Sequence, residues 1–315
     1  MLHQHHRTAI HRPVFSASLF LIGLCAWSAT ETPAGQFLTA QESALPNQPA
    51  SQDSLAALLR NAREMQAHGN LKGAIDTARQ ALERQPNQTE ARYLLATALE
   101  EAHDRVGALK EYETIVAQAP DHLQSQFRLG LLYEQRAEHS AAIRAFSAVL
   151  RLNPEHVAAR FNIGLAFRKA GDQDWAKRHF DILLQQDPGH TGAHTTLGNI
   201  YYEQGNLAQA IEEYRAALAT EPGHPRARRN LALTLRRKGD LPQALTEYRE
   251  ALKNQNTDPT LHIEYAETLR STGQKAEAAK AYQQALAVLP HTGDQGEMRT
   301  RVEAQLQELG VEGKK

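Results

Sequence analysis

Prolines stand at Pro86, Pro120, Pro154, Pro188 and Pro222, each 34 residues after the last, and further steps of the same length reach Asn256 and Pro290. A proline stops a helix that runs into it, so prolines at fixed spacing mark chain breaks at fixed spacing. Counting back from these marks gives seven units without insertion or deletion: 55–88, 89–122, 123–156, 157–190, 191–224, 225–258 and 259–292. Units this short cannot bury an apolar face alone, so the chain must fold by stacking like units on one another.

Within each unit the apolar residues follow helical spacing. Position 20 is always alanine (Ala74, Ala108, Ala142, Ala176, Ala210, Ala244, Ala278), and position 8 is always small (Ala62, Ala96, Gly130, Gly164, Gly198, Ala232, Ala266). Position 24 is aromatic from the second unit onward (Tyr112, Phe146, Phe180, Tyr214, Tyr248, Tyr282), with Ala78 in the first. Small residues let two helices approach, and the aromatic fills the space they leave. Gly69, Gly171, Gly205, Gly239 and Gly273 at position 15 end one helix, and the position-32 proline stops the other. The expected unit is helix–turn–helix and the expected class is all-α.

The pattern resembles the tetratricopeptide repeat family, whose 34-residue signature has small residues at positions 8 and 20, an aromatic at 24 and proline near 32. The fifth unit agrees at Leu197, Gly198, Tyr201, Gly205, Ala210, Tyr214, Ala217 and Pro222. Departures are the absence of tryptophan at position 4, His103 and Ala137 in place of the turn glycine, and Asn256 in place of a proline. The last predicts a looser turn before the helix that Asp258 and Pro259 begin. The resemblance implies an α-solenoid, wound as a right-handed superhelix. Residues 293–315 are expected to form a capping helix and tail: Asp294 and Glu297 have capping-box spacing, and Met298, Val302, Leu306 and Leu309 make one apolar stripe.

The N-terminus has the form of an export signal, residues 1–28. Arg7 and Arg12 precede the apolar run Val14 to Trp27, which is followed by small Ser28 and Ala29. The run falls short of the roughly 20 residues that span a bilayer, although an uncleaved anchor is the alternative. An exported protein, periplasmic or secreted, is the expectation, with membrane contact only if this segment stays attached. Residues 29–54, rich in Pro, Gln, Ser, Thr and Ala, read as a disordered linker. Cys25 is the only cysteine, so cleavage would leave no thiol for disulfide or zinc chemistry. The net charge of -1 lacks the basic footprint of a nucleic-acid-binding surface.

No segment is left over for a catalytic domain, and the chain has no G-x-S-x-G, Walker loop, dinucleotide fingerprint or H-E-x-x-H. No enzyme, cofactor or metal is expected. His190 and His194 lack a third ligand, and His3, His5, His6 and His11 belong to the signal. His122, His156, His190 and His224 all occupy position 34, where each imidazole caps or flanks the next helix start; a pH-sensitive junction is the alternative.

The resemblance further implies that the first helices of the units line a concave groove, with positions 2, 5, 9, 12 and 13 facing a bound peptide. Carried over residue by residue, this gives Glu90, Tyr93, Thr97, Glu100 and Glu101 in the second unit, with Phe127, Leu131 and Glu134 in the third. Phe161, Leu165, Arg168 and Lys169 follow in the fourth, and Asn199, Tyr202 and Glu203 in the fifth. The sixth gives Arg226, Arg229, Leu233, Arg236 and Arg237, with no acid among them, while Arg228 falls off this set, and the seventh adds Arg270 but also Glu267. The expected groove is acidic early, aromatic in the middle and basic late. Asn162 and Asn230 at position 6 are similar to an asparagine that holds peptide backbone in some family members, but no complete carboxylate clamp is present. Guanidinium groups in a row suit carboxylate or phosphate. The expected function is therefore an exported, non-enzymatic scaffold that binds an extended or acidic peptide for complex assembly. The alternative is a polyanionic glycan or cell-wall polymer on the same basic wall, in envelope biogenesis or polysaccharide export.

Overall fold

The computed structural model describes residues 54–254, 257–289 and 296–310. The chain divides into two units at Pro49 and Ala50, and every described residue lies in the second. The segments 1–28 and 29–53, Asn256 and Asp294 fall outside the described residues.

Fifteen α-helices make up the described residues, and no strand is found among them. Seven first helices are α1 Leu55–Ala67, α3 Thr89–Glu101, α5 Leu123–Gln135, α7 Val157–Lys169, α9 Thr191–Glu203, α11 Pro225–Lys238 and α13 Pro259–Ser271. Their partners are α2 Leu71–Arg84, α4 Arg105–Gln118, α6 His139–Leu152, α8 Gln173–Gln186, α10 Leu207–Thr220, α12 Leu241–Asn254 and α14 Lys275–Val288. Each first helix packs on its partner, and each partner on the next first helix, which makes a solenoid.

The turn within each repeat needs one left-handed residue. Five repeats use glycine, for example Gly171 at φ 89°, but His103 and Ala137 adopt φ 64° and 57° at the same place. The turn geometry therefore persists without glycine, at a backbone cost of about 1–2 kcal/mol.

Close helix approach follows from the small position-8 residues. A Cβ at Gly164 would stand 2.8 Å from the Phe180 ring, and one at Gly198 would stand 2.5 Å from Tyr214. The position-24 rings Tyr112, Phe146, Phe180, Tyr214, Tyr248 and Tyr282 are all buried between the helices. At the C-terminal end, α15 (Gly296–Glu308) buries Val302 and Leu306 beside Tyr282 and Leu289, with Met298 and Leu309 packed around them.

Candidate functional site: the inner helix face and its junctions

First helices of adjacent repeats touch one another, α1 with α3, α5 with α7, α9 with α11 and α11 with α13, and the Arg128–Glu100 and Arg168–Glu203 pairs link α5 to α3 and α7 to α9, so their side chains form one continuous inner face. The junctions that set this face are capped by histidine. Nδ1 of His122, His156, His190 and His224 accepts the backbone N–H of Ser125, Ala159, Ala193 and Ala227 at 3.1–3.2 Å. An accepting Nδ1 carries no proton, so the cap requires neutral imidazole. Burial holds His122 below the ordinary imidazole value and outweighs the nearby Asp121.

The position-5 aromatics pack against these caps. Tyr93 lies 5.2 Å from the His122 ring, Phe127 5.0 Å from His156 and Phe161 4.9 Å from His190. Each also touches the position-24 ring of its own repeat at 5.8–5.9 Å. They are half-buried, and so form the floor of the inner face rather than projecting from it.

The charged residues come together differently from the acidic-to-basic gradient expected from the sequence. Arg229 holds Glu264 of the next repeat through two hydrogen bonds, at 3.0 and 2.7 Å, and Arg236 pairs with Glu267 at 2.7 Å. Arg237 lies 4.7 Å over the Tyr202 ring and donates to the Tyr202 carbonyl at 3.1 Å. Of the four arginines on the supposed wall, only Arg226 is exposed and without a partner among the described residues. In the fourth repeat, Arg168 pairs with Glu203 and Lys169 with Glu134, both at 2.7 Å. At the early end Arg63 pairs with Glu90, and Glu100 accepts from Tyr112 at 3.0 Å and Arg128 at 3.4 Å. Charges of opposite sign thus meet between neighbouring repeats, which corrects a reading that took each unit alone. The signal was present as partners 28–35 residues apart, close to one repeat length.

Two parts of the inner face remain open, one of them a cavity of about 480 Å³ at the early end lined by Gln66, Tyr93, Leu94, Thr97, Glu100, Glu101 and Arg128. A second cavity, of about 210 Å³, lies between α9 and α11, lined by Asn199, Tyr202, Glu203, Tyr214, Asn230, Leu233 and Thr234. Asn199 Oδ1 accepts from both Tyr214 Oη and Asn230 Nδ2 at 2.8 Å. Asn199 Nδ2 and Asn230 Oδ1, one donor and one acceptor, have no hydrogen-bond partner among the described residues. Asn162, by contrast, donates to the Ala158 carbonyl of its own helix at 2.7 Å.

His194 engages both ring nitrogens, Nδ1 with Glu213 at 2.7 Å and Nε2 with the Pro188 carbonyl at 3.0 Å, and Glu213 raises it above the ordinary imidazole value. It is therefore occupied separately from His190, the other half of the sequence pair. Arg228 lies off the inner face, on Glu247 and the Pro222 carbonyl. No described helix is long and apolar enough to cross a membrane.

Two tetratricopeptide repeat families match, one at residues 65–129 and the other at 127–191 and 195–259. Among solved structures, a tetratricopeptide repeat protein from Parabacteroides merdae is 17% identical with TM-score 0.58, covering 82% of this chain and all of that one. YrrB, described as a TPR protein with an unusual peptide-binding site, is 21% identical with TM-score 0.52, over 56% of this chain and 91% of its own. A structure of MamA protein has the same identity and TM-score, over 54% of this chain and 93% of its own. No curated protein matches the sequence.

Proposed function

The chain belongs to the tetratricopeptide repeat family, and we propose that it is a non-enzymatic scaffold that binds an extended, acidic peptide segment of a partner protein along its inner helix face. The cavity between α9 and α11 carries this reading. It has room for one large side chain, and Leu233 and Tyr202 give it apolar walls. The free donor on Asn199 and free acceptor on Asn230 match the complementary groups of a backbone amide. Arg226, near the start of the same helix, has no carboxylate partner among the described residues and suits an acidic side chain of the ligand. A polyanionic glycan would need an open row of guanidinium groups, and Glu264 and Glu267 already occupy two of the four. The peptide reading is therefore the better supported.

We place this binding outside the cytoplasm on the strength of the export signal read in residues 1–28. Selection of a displayed peptide library on the purified chain tests the binding reading. Enriched peptides should combine acidic residues with a large apolar one, and Leu233→Glu should weaken them at least ~tenfold without changing the unfolding midpoint. Equal binding by that variant would contradict the reading.

A further inference from the structure

Five repeats carry a basic side chain at position 4, His262 in the seventh among them, and four of these side chains hold a proline carbonyl of the preceding junction. Arg92, Arg160, His194 and Arg228 make a hydrogen bond to the carbonyl oxygen of Pro86, Pro154, Pro188 and Pro222 respectively. Three of them are also neutralised by a carboxylate at position 23 of their own repeat: Arg92 by Glu111 at 2.6 Å, His194 by Glu213 at 2.7 Å, and Arg228 by Glu247 at 2.7 Å. The fourth repeat breaks the rule, because position 23 is His179.

Arg160 is only 8% exposed and pairs with no carboxylate among the described residues. Its Nε and the His179 Nδ1 are both buried without a hydrogen-bond partner, and they do not bond to each other. Burial, with the adjacent guanidinium, holds His179 below the ordinary imidazole value, so it supplies no counter-charge. A buried cation without an anion is unfavourable, and the other repeats show which group is missing.

The surface around this defect is also unusual. His179 and Trp175 stack on the same Phe167 ring at 5.4 and 5.9 Å, and the Arg178 guanidinium lies 4.8 Å over Trp175. Arg178 likewise has no carboxylate partner among the described residues. Trp175 is 47% and Ile182 39% exposed. Gln186 donates to the Pro154 carbonyl at 3.5 Å, which brings the C-terminal end of α8 beside the turn that Arg160 holds. The preceding α6 carries Arg144 and Arg151 and no acidic residue. On α8 itself, Asp174 is committed to Lys177 at 3.1 Å, and Asp181 faces Glu213 of the next repeat.

We propose that this outer surface of the fourth repeat, formed by Trp175, Arg178, His179 and Ile182 over Arg160, is a second docking site that takes an acidic segment of a protein partner. One carboxylate of the segment completes the Arg160 pair, as Glu111, Glu213 and Glu247 do from within their own repeats. Arg178 takes a second carboxylate, and Trp175 and Ile182 cover an apolar side chain between them. Charge complementarity selects an acidic occupant, and the exposed indole and aliphatic side chain select a peptide over a simple anion. The site is independent of the inner-face cavity.

A short peptide of alternating glutamate and leucine, titrated into the full chain while tryptophan fluorescence is followed, provides the test. Saturable quenching that disappears in Trp175→Phe is expected. His179→Glu supplies the missing carboxylate internally and keeps the residue type found in three sister repeats. It should raise the unfolding midpoint and weaken the peptide at least ~tenfold, whereas Leu233→Glu, on the inner face, should leave it unaltered. Equal binding by His179→Glu, quenching that survives in Trp175→Phe, or an identical response to inorganic phosphate alone would overturn the proposal.

Discussion

Arg229 reaches across one repeat boundary and donates from Nε and Nη2 to the two carboxylate oxygens of Glu264, at 3.0 and 2.7 Å. The pair fastens α11 to α13, and its carboxylate raises Arg229 above the ordinary guanidinium value. Arginines on the inner face therefore divide into those that hold the solenoid together and those left to meet a ligand.

Charge reversal should separate the two kinds. Arg229→Glu places two carboxylates together and should cost about 1–3 kcal/mol of stability, from loss of a half-buried bidentate bond. Glu264→Arg in the same chain should restore part of it. Arg226→Glu should change stability by no more than about 0.5 kcal/mol and weaken acidic peptides. Urea unfolding of the three variants measures the first effects and peptide titration the last.

The histidine caps predict a pH dependence whose sign follows from geometry. Because burial lowers His122 in the folded state, the unfolded chain binds the proton more readily, and the stability of this cap is present above an imidazole value of 6.5. It is lost as pH falls below that value, by about 1 kcal/mol for a broken cap. His122→Asn keeps an N-cap acceptor that does not titrate, so the variant should gain on the wild type in acid and differ little at pH near 8. His194 acts in the opposite sense: raised by Glu213, it stabilises below 6.5 and loses that contribution as pH rises through its folded value. His194→Gln should therefore narrow its deficit as pH rises. Thermal unfolding between acid and mild alkali resolves both trends.

Left-handed turns at His103 and Ala137 are strained where five repeats use glycine. Ala137→Gly should raise stability by about 0.5–1 kcal/mol, and Gly171→Ala, at φ 89°, should lower it by more than about 1 kcal/mol. Each follows from denaturant midpoints at constant slope.

Gly164 fits against Phe180 with no room for a Cβ. Gly164→Val should cost about 1–3 kcal/mol by forcing the ring or helix aside. Calorimetry measures the loss.

The repeat architecture was legible in the sequence because its causes are local. Pro86 and its successors break helices, Gly198 and Tyr214 fill one another's space, and the position-34 histidines sit beside helix starts, where a polar side chain is most useful. The inner-face chemistry was not legible to the same degree. Arg229 looked free because its partner Glu264 lies one repeat away, and only the stacking of α11 on α13 brings the two together. Tyr93, Phe127 and Phe161 were placed on the inner face, but their contact with the histidine caps depends on how each junction turns. The Arg160 defect became visible only after Arg92, His194 and Arg228 established what the other repeats do.

The central claim is that an extended acidic peptide lies on the inner face between α9 and α11. Hydrogen–deuterium exchange of the full chain with and without a selected peptide tests it most directly. Slower exchange in segments 195–203 and 226–237, abolished by Leu233→Glu, is the predicted result. Protection confined to the outer helices α10 and α12, or protection that survives Leu233→Glu, would contradict the claim.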